Sequence, residues 1–135
     1  MDSDFFKNVK TIAIVGLSSD KTKYSYRVAQ YFQDKGYRII PVNPNATEIL
    51  GEKAYSNLLS IPKEIEIDVV DVFRRPEEVI PHLQEVLDRG GVKIVWLQEG
   101  VGSKEAEEFA KKSNLNMVSN FCLMQVHKGE QKVND

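Results

Sequence analysis

TIAIVGLSSDKTKYSYR, residues 11–27, decides how the rest of the chain is read. Ile12, Ala13, Ile14 and Val15 form a short apolar run rich in β-branched side chains, and Gly16 ends it. Polar residues follow, and then Val28, Ala29 and Phe32 recur at the i, i+1, i+4 spacing of a buried helical face. The stretch therefore predicts a strand, a loop and a helix, with Ser25 as the helix N-cap and Gly36 as the left-handed residue that ends it. Such a helix directs its free N–H groups and the positive end of its dipole into the loop, where phosphate is stabilised. Gly16 lets backbone approach a ligand there, Ser18, Ser19 and Thr22 offer hydroxyls, and Lys21 and Lys23 offer charge.

Outward from this unit the same alternation continues. Residues 1–8 read as a polar lead-in anchored by Phe5 and Phe6. A second strand covers Arg38 to Val42, with Pro41 marking a strand end or edge and Pro44 holding the chain extended after it. Residues 45–64 form the least regular crossover, with a short helix expected over Tyr55 to Leu59. The third strand, Ile67 to Phe73, runs into Arg74-Arg75-Pro76. Pro76 is expected at the first position of one helical turn and Pro81 at the first position of the main helix. Leu83, Val86 and Leu87 give that helix its apolar face, and Gly90-Gly91 ends it.

A fourth strand, Val92 to Leu97, is apolar on both faces except at Lys93, and Gln98-Glu99-Gly100 form the loop after it. A helix from Ser103 to Ser113, a fifth strand near Asn116 to Ser119, a further short strand over Phe121 to Val126 and a polar tail from Lys128 to Asp135 complete the chain. Strands alternating with helices predict an α/β protein: one domain over 1–135 with a doubly wound parallel sheet of about five strands. Ligands in such sheets sit at the carboxyl ends of the strands.

Composition narrows the function classes. At 135 residues there is room for one domain with a real core and none for a second catalytic domain. No stretch approaches the roughly 18 consecutive apolar residues of a membrane span. Asp2-Ser3-Asp4 stands where a secretory leader would be basic, so a cytoplasmic protein is expected. Net charge is −2, which argues against nucleic acid as a partner and requires any anion site to be built locally. The single cysteine, Cys122, excludes an internal disulfide, and no Cys/His spacing suits a metal.

The nucleotide is narrowed by what the loops lack. Gly16-Leu17-Ser18-Ser19-Asp20-Lys21 keeps only one glycine of the G-x-G-x-x-G dinucleotide fingerprint. Val42-Asn43-Pro44 replaces the acidic residue that would hold a ribose diol at the end of the second strand. Positive charge gathers at strand ends instead: Lys21, Lys23 and Arg27 after the first, Arg74 and Arg75 after the third. The expected ligand is therefore strongly anionic, as is coenzyme A with its pyrophosphate and ribose 3′-phosphate. An NADP-dependent oxidoreductase is the alternative, although no hydride-acceptor site is legible.

The order VGLSS, SYRVA, KGYRIIPVNP, ILGEKAY, DVVDVFRRPEEV, VWLQEG and FC resembles the stand-alone CoA-binding protein family, relatives of the CoA-binding domain of succinyl-CoA synthetase α subunits. The resemblance spans about Val9 to His127 and implies a Rossmann-type sheet holding CoA or an acyl-CoA at the loops after the first three strands. By motif, Gly16, Leu17, Ser18 and Ser19 would meet the pyrophosphate with Arg27 nearby. Val42, Asn43 and Pro44 would border the adenosine, and Phe73 and Arg74 would line the same cleft. Lys23-Tyr24-Ser25 stands where the family often has Arg-Pro-Ser, keeping the charge without the proline, and Asn120-Phe121-Cys122 replaces Asp-Arg-Cys.

No nucleophile–base pair is legible, so a non-catalytic binder is expected. A partner subunit of an acyl-CoA ligase is a further alternative, and a homodimer or other protein partner is left open. Cys122 reads as a small buried hydrophobe, the alternative being a thiol in the cleft. Trp96 reads as core, and His82 and His127 as surface residues.

Overall fold

The structure is a computed structural model that describes residues 4–133; Met1 to Ser3 of the lead-in and the last two residues of the tail lie outside the described residues. A 3₁₀ turn, Phe5–Asn8, precedes β1 (Thr11–Val15) and α1 (Tyr24–Asp34). β2 (Arg38–Val42) is followed by the two-residue strands β3 (Glu48–Ile49) and β4 (Glu52–Lys53) and a 3₁₀ turn at Leu58–Ser60. Next come β5 (Ile67–Val72), a 3₁₀ turn at Pro76–Glu78, α2 (Val79–Arg89) and β6 (Val92–Leu97). α3 (Lys104–Lys112), β7 (Met117–Ser119) and α4 (Leu123–Lys128) end the described chain.

Five strands form one sheet in the order β2-β1-β5-β6-β7, and every pairing is parallel. The chain winds outward from β1 to β2 in one direction and from β5 through β6 to β7 in the other. Helices cover both faces, which is why β1 and β5 are buried along their whole length. One face packs Ala13, Val70, Val72 and Leu97 against Val79, Leu83, Val86 and Ala106 of α2 and α3. The opposite face packs Ile12, Ile14, Val69 and Trp96 against Val28, Ala29 and Phe32 of α1 and Leu123 of α4. Truncating a side chain as buried as Leu83 in such a core costs about 2–5 kcal/mol. This is the expected Rossmann-like, doubly wound arrangement, and its strand order reverses between β1 and β5.

Several local expectations change. Ser25 is not the cap of α1: Lys23 holds that position with extended backbone and no side-chain cap. Ser25 is the second residue of the helix and its Oγ accepts the Ser18 N–H at 3.0 Å, so the hydroxyl closes the loop instead. Pro81 is the third residue of α2, not the first; the preceding Pro76 turn feeds straight into the helix, and Pro81 still falls among the first amides, which have no intrahelical acceptor. Leu87 is 37% exposed while Leu83 and Val86 are buried. The short helix expected over Tyr55 to Leu59 starts later, because the Asn57 side chain accepts from Ser60 N–H and sets the turn at Leu58.

Phe121 to Val126 is not a strand. Asn120 takes a left-handed φ of 68°, which ends β7, and the apolar side chains that follow pack as α4 against α1. At the β2 edge, Tyr55 donates to Pro41 O and accepts from Asn43 N–H, both at 2.9 Å. The missing amide of Pro41 therefore faces the border of the sheet, where a proline is tolerated.

Candidate functional site

Where the strand order reverses, the loops after β1 and β5 diverge, and two clefts open at the carboxyl edge of the sheet. The first, of about 270 Å³, lies between the β1, β2 and β5 ends. Gly16, Ser18, Val42, Asn43, Pro44 and Arg74 line it, joined by His82 and Glu85 from α2. The second, of about 680 Å³, runs towards β6 between Tyr24, Phe73, Arg74, Gln98, Glu99 and Val101. Arg74 belongs to both walls.

The floor of the first cleft is set by Gly16, whose φ is 84°. A Cβ there would lie 2.1 Å from the Phe73 carbonyl oxygen and 3.2 Å from the Arg74 side chain. Only glycine permits this contact between the β1 and β5 loops. Asn43 joins β2 to the same loop, since its Nδ2 donates to Leu17 O at 2.9 Å and its Oδ1 accepts from Asn45 N–H at 2.7 Å.

Of the loop amides expected to meet a pyrophosphate, Gly16 N–H donates to Val42 O and Ser18 N–H to Ser25 Oγ. The amides of Leu17 and Ser19 have no protein acceptor among the described residues. The Leu17 side chain is fully buried, so it offers only its backbone. Ser19, Lys23 and Arg27 are exposed and Ser25 is buried; none of the four is among the residues lining either cleft. The first turn of α1 has no side-chain cap, leaving its amides directed at the loop.

The cationic edge is less positive than the charges alone suggest. Arg74 pairs with Glu78 through Nη2, and Arg75 lies 3.6 Å from the same carboxylate. Arg74 Nε is nonetheless buried with no partner among the described residues. Gln98 is in the same condition: it is 3% exposed, its Oε1 accepts from Leu123 N–H at 3.4 Å, and its Nε2 has no partner. Unpartnered buried donors of this kind cost about 1–3 kcal/mol each. A ligand offering phosphate oxygens to Arg74 and a carbonyl to Gln98 would supply the missing acceptors.

Tyr24 lines the second cleft with its ring, while its hydroxyl lies 2.9 Å from Cys122 Sγ. Burial, helped by that contact, pushes the phenol up to about 12. Cys122 itself is fully buried, one hydrogen bond behind the wall. His82 and His127 are partly buried rather than free at the surface. His82 is in the first cleft, and His127 packs among Phe6, Tyr31, Phe32 and Tyr37 with Nδ1 2.6 Å from Tyr31 Oη. Burial pulls both imidazoles below the ordinary 6.5.

His82, Glu85, Gln98, Ser56 and Asn57 are among the site residues that sequence reasoning missed. The loop Gln98-Glu99-Gly100 follows a strand and so had a signal, as did His82 in the opening turn of the helix after β5. Ser56 and Asn57 had none, because they reach the cleft only through the bridge between Tyr55 and Val42.

Comparisons with known proteins agree with this geometry. The Bacillus subtilis protein YneT is 37% identical over 126 residues, covering 92% of this chain and 90% of that protein. An ADP-forming acetate–CoA ligase of Methanocaldococcus jannaschii is 33% identical over 122 residues, 84% of this chain but only 17% of the ligase. A solved structure from Thermus thermophilus superposes with a TM-score of 0.87 at 34% identity, covering 97% of this chain and all of that one. A model of the CoA binding domain matches residues 10–128, which take in both clefts from Gly16 to Val101. With the fold, the strand-end clefts and this match in agreement, the chain belongs to the CoA-binding domain family.

Proposed function

We propose that this chain is a non-catalytic binder of coenzyme A or an acyl-CoA. The single observation that carries the reading is Arg74, whose buried Nε has no partner at the one residue common to both clefts. In this reading the nucleotide phosphates take the cleft of Gly16, Ser18, Asn43 and Arg74. The pantetheine arm passes Arg74 into the second cleft, where Gln98 Nε2 meets an amide or thioester carbonyl between Tyr24 and Phe73. Arg74 leaves a half-exposed pair with Glu78, worth at most about 1 kcal/mol, for a charge-assisted bond to phosphate worth about 1.5–3 kcal/mol. The wall chemistry supports binding over catalysis: Ser56 Oγ lies 3.5 Å from Ser60 Oγ, and no hydrogen bond joins it to His82 among the described residues.

Calorimetric competition among CoA, dephospho-CoA, ATP and NADPH tests the assignment. CoA is expected to bind most tightly, and tighter binding of NADPH would replace this reading with the oxidoreductase one. The similarity to one sixth of an acetate–CoA ligase also favours a second reading, a subunit whose clefts are completed by a partner chain. Co-purification of a ligase-like chain that confers acyl-CoA synthesis on the pair would select it.

A further inference from the structure

His82 is the fourth residue of α2 and stands in the wall of the first cleft with Gly16, Ser18 and Arg74. Its Nδ1 is buried without a hydrogen bond and lies 3.6 Å from Glu85 Oε2. Glu85 cannot swing away freely, because its Oε1 accepts the Leu58 N–H at 3.0 Å. With Nδ1 turned to Glu85, Nε2 is the ring nitrogen left to the cavity that His82 lines. The charged groups facing the ring are Glu85 on its own helix, Glu78 in the preceding turn and Arg74 in the loop after β5. Burial, first, and then Arg74 oppose the imidazolium, while Glu85 and Glu78 favour it. Opposition wins in the free protein, and the ring is held neutral near pH 7.

We propose that His82, as an imidazolium held between Glu85 and the ligand, grips a phosphate of the bound nucleotide and couples its binding to proton uptake. The inference rests on the CoA reading of the cleft and adds a specificity-determining residue to it. Phosphate brings negative charge to Nε2 and at the same time engages Arg74, the one group that repels the proton. Both changes act in the same direction, so binding tightens on acidification. The phosphate is either the pyrophosphate or the ribose 3′-phosphate, and both present the same acceptor oxygens.

The chain has two histidines, so their Cε1–H proton resonances can be followed by NMR from pH 5 to 8.5 with and without CoA, His82→Asn assigning the signals. CoA is expected to raise the His82 pKa by about one unit and to leave His127 unmoved, which corresponds to a tenfold coupling. Calorimetry should then show the wild-type advantage over His82→Asn growing several-fold from pH 8 to pH 5.5, towards the tenfold limit reached below the free pKa, the ligand's own phosphate titration near pH 6 cancelling between the two proteins. A shift retained with dephospho-CoA assigns the contact to the pyrophosphate, and one lost assigns it to the 3′-phosphate. CoA that binds at pH 8 while the His82 titration stays fixed overturns the inference and leaves the CoA reading intact. Failure to bind CoA at any pH removes both. Should His82→Asn not fold, His127→Asn assigns the signals and the wild-type titration decides alone.

Discussion

The two edges of the sheet treat the same residue types in opposite ways. At the amino edge, Arg89 is buried and donates to four carbonyl oxygens, those of Ile61, Pro62, Ile65 and Gly90. Asp68 at the same edge accepts from Lys10 N–H, Thr11 N–H and Lys93 Nζ, at 2.8, 3.0 and 2.9 Å. At the carboxyl edge, Arg74 Nε, His82 Nδ1 and Gln98 Nε2 are all buried without a hydrogen-bond partner among the described residues. A buried polar group is normally satisfied, so the first set reads as architecture, whereas Arg74 Nε and Gln98 Nε2 in the second are donors with unused capacity. Burial alone does not distinguish Arg89 from Arg74. The completeness of the hydrogen bonding does.

The largest effect should come from breaking the satisfied edge. Arg89→Ala strands several carbonyls and is expected to cost about 3 kcal/mol in urea unfolding, with CoA affinity of the folded fraction unchanged. Arg74→Ala should do the reverse: CoA affinity falls at least tenfold, equivalent to about 1.4 kcal/mol or more, while unfolding shifts by less than about 1 kcal/mol. Calorimetry and unfolding on the same samples check the pair, and a large stability loss from Arg74→Ala would erase the contrast.

The smallest effect is a difference in pH dependence between two aspartates of β5. Burial works against the Asp68 carboxylate, but the Lys93 contact and the two amides outweigh it and hold its pKa below the ordinary 3.8. Its contribution, about 1 kcal/mol, is present above pH 3.8 and lost as pH falls through the folded value, so Asp68→Asn should differ most from wild type at neutral pH. Asp71 is fully buried with both oxygens unpartnered, and burial pushes it well above 3.8. Its stability is present below pH 3.8 and lost as pH rises toward the folded value. Asp71→Asn should therefore gain on wild type above that pH. Unfolding free energies from pH 3 to 8 give both slopes.

Much of this was legible in the chain. Runs such as Ile12–Val15 and Val92–Leu97 are apolar on both faces because helices cover both sides, and that pattern fixed the sheet class. Gly16, Asn43 and Arg74 were legible because strand ends are where such sheets bind. Phe121–Val126 misled because a segment apolar at every position but Gln125 fits either period, and only docking on α1 makes it helical. Asp71 was hidden for a different reason: a carboxylate in a strand reads as solvent-facing, and nothing local reveals that both sheet faces are covered. Gln98 and His82 carried a weak signal from their places after β6 and β5, but Ser56 and Asn57 reach the cleft only through the bridge to β2, which spacing along the chain does not encode.

The close approach at Gly16 also limits how this edge can be altered. Any L-residue there must displace the Phe73 carbonyl, and Arg74, adjacent in sequence and touching the same point, would be carried along with it. New ligand preferences are thus confined to the rim, at Ser18, Asn45 or His82, where a side chain can change without prising the two innermost strands apart.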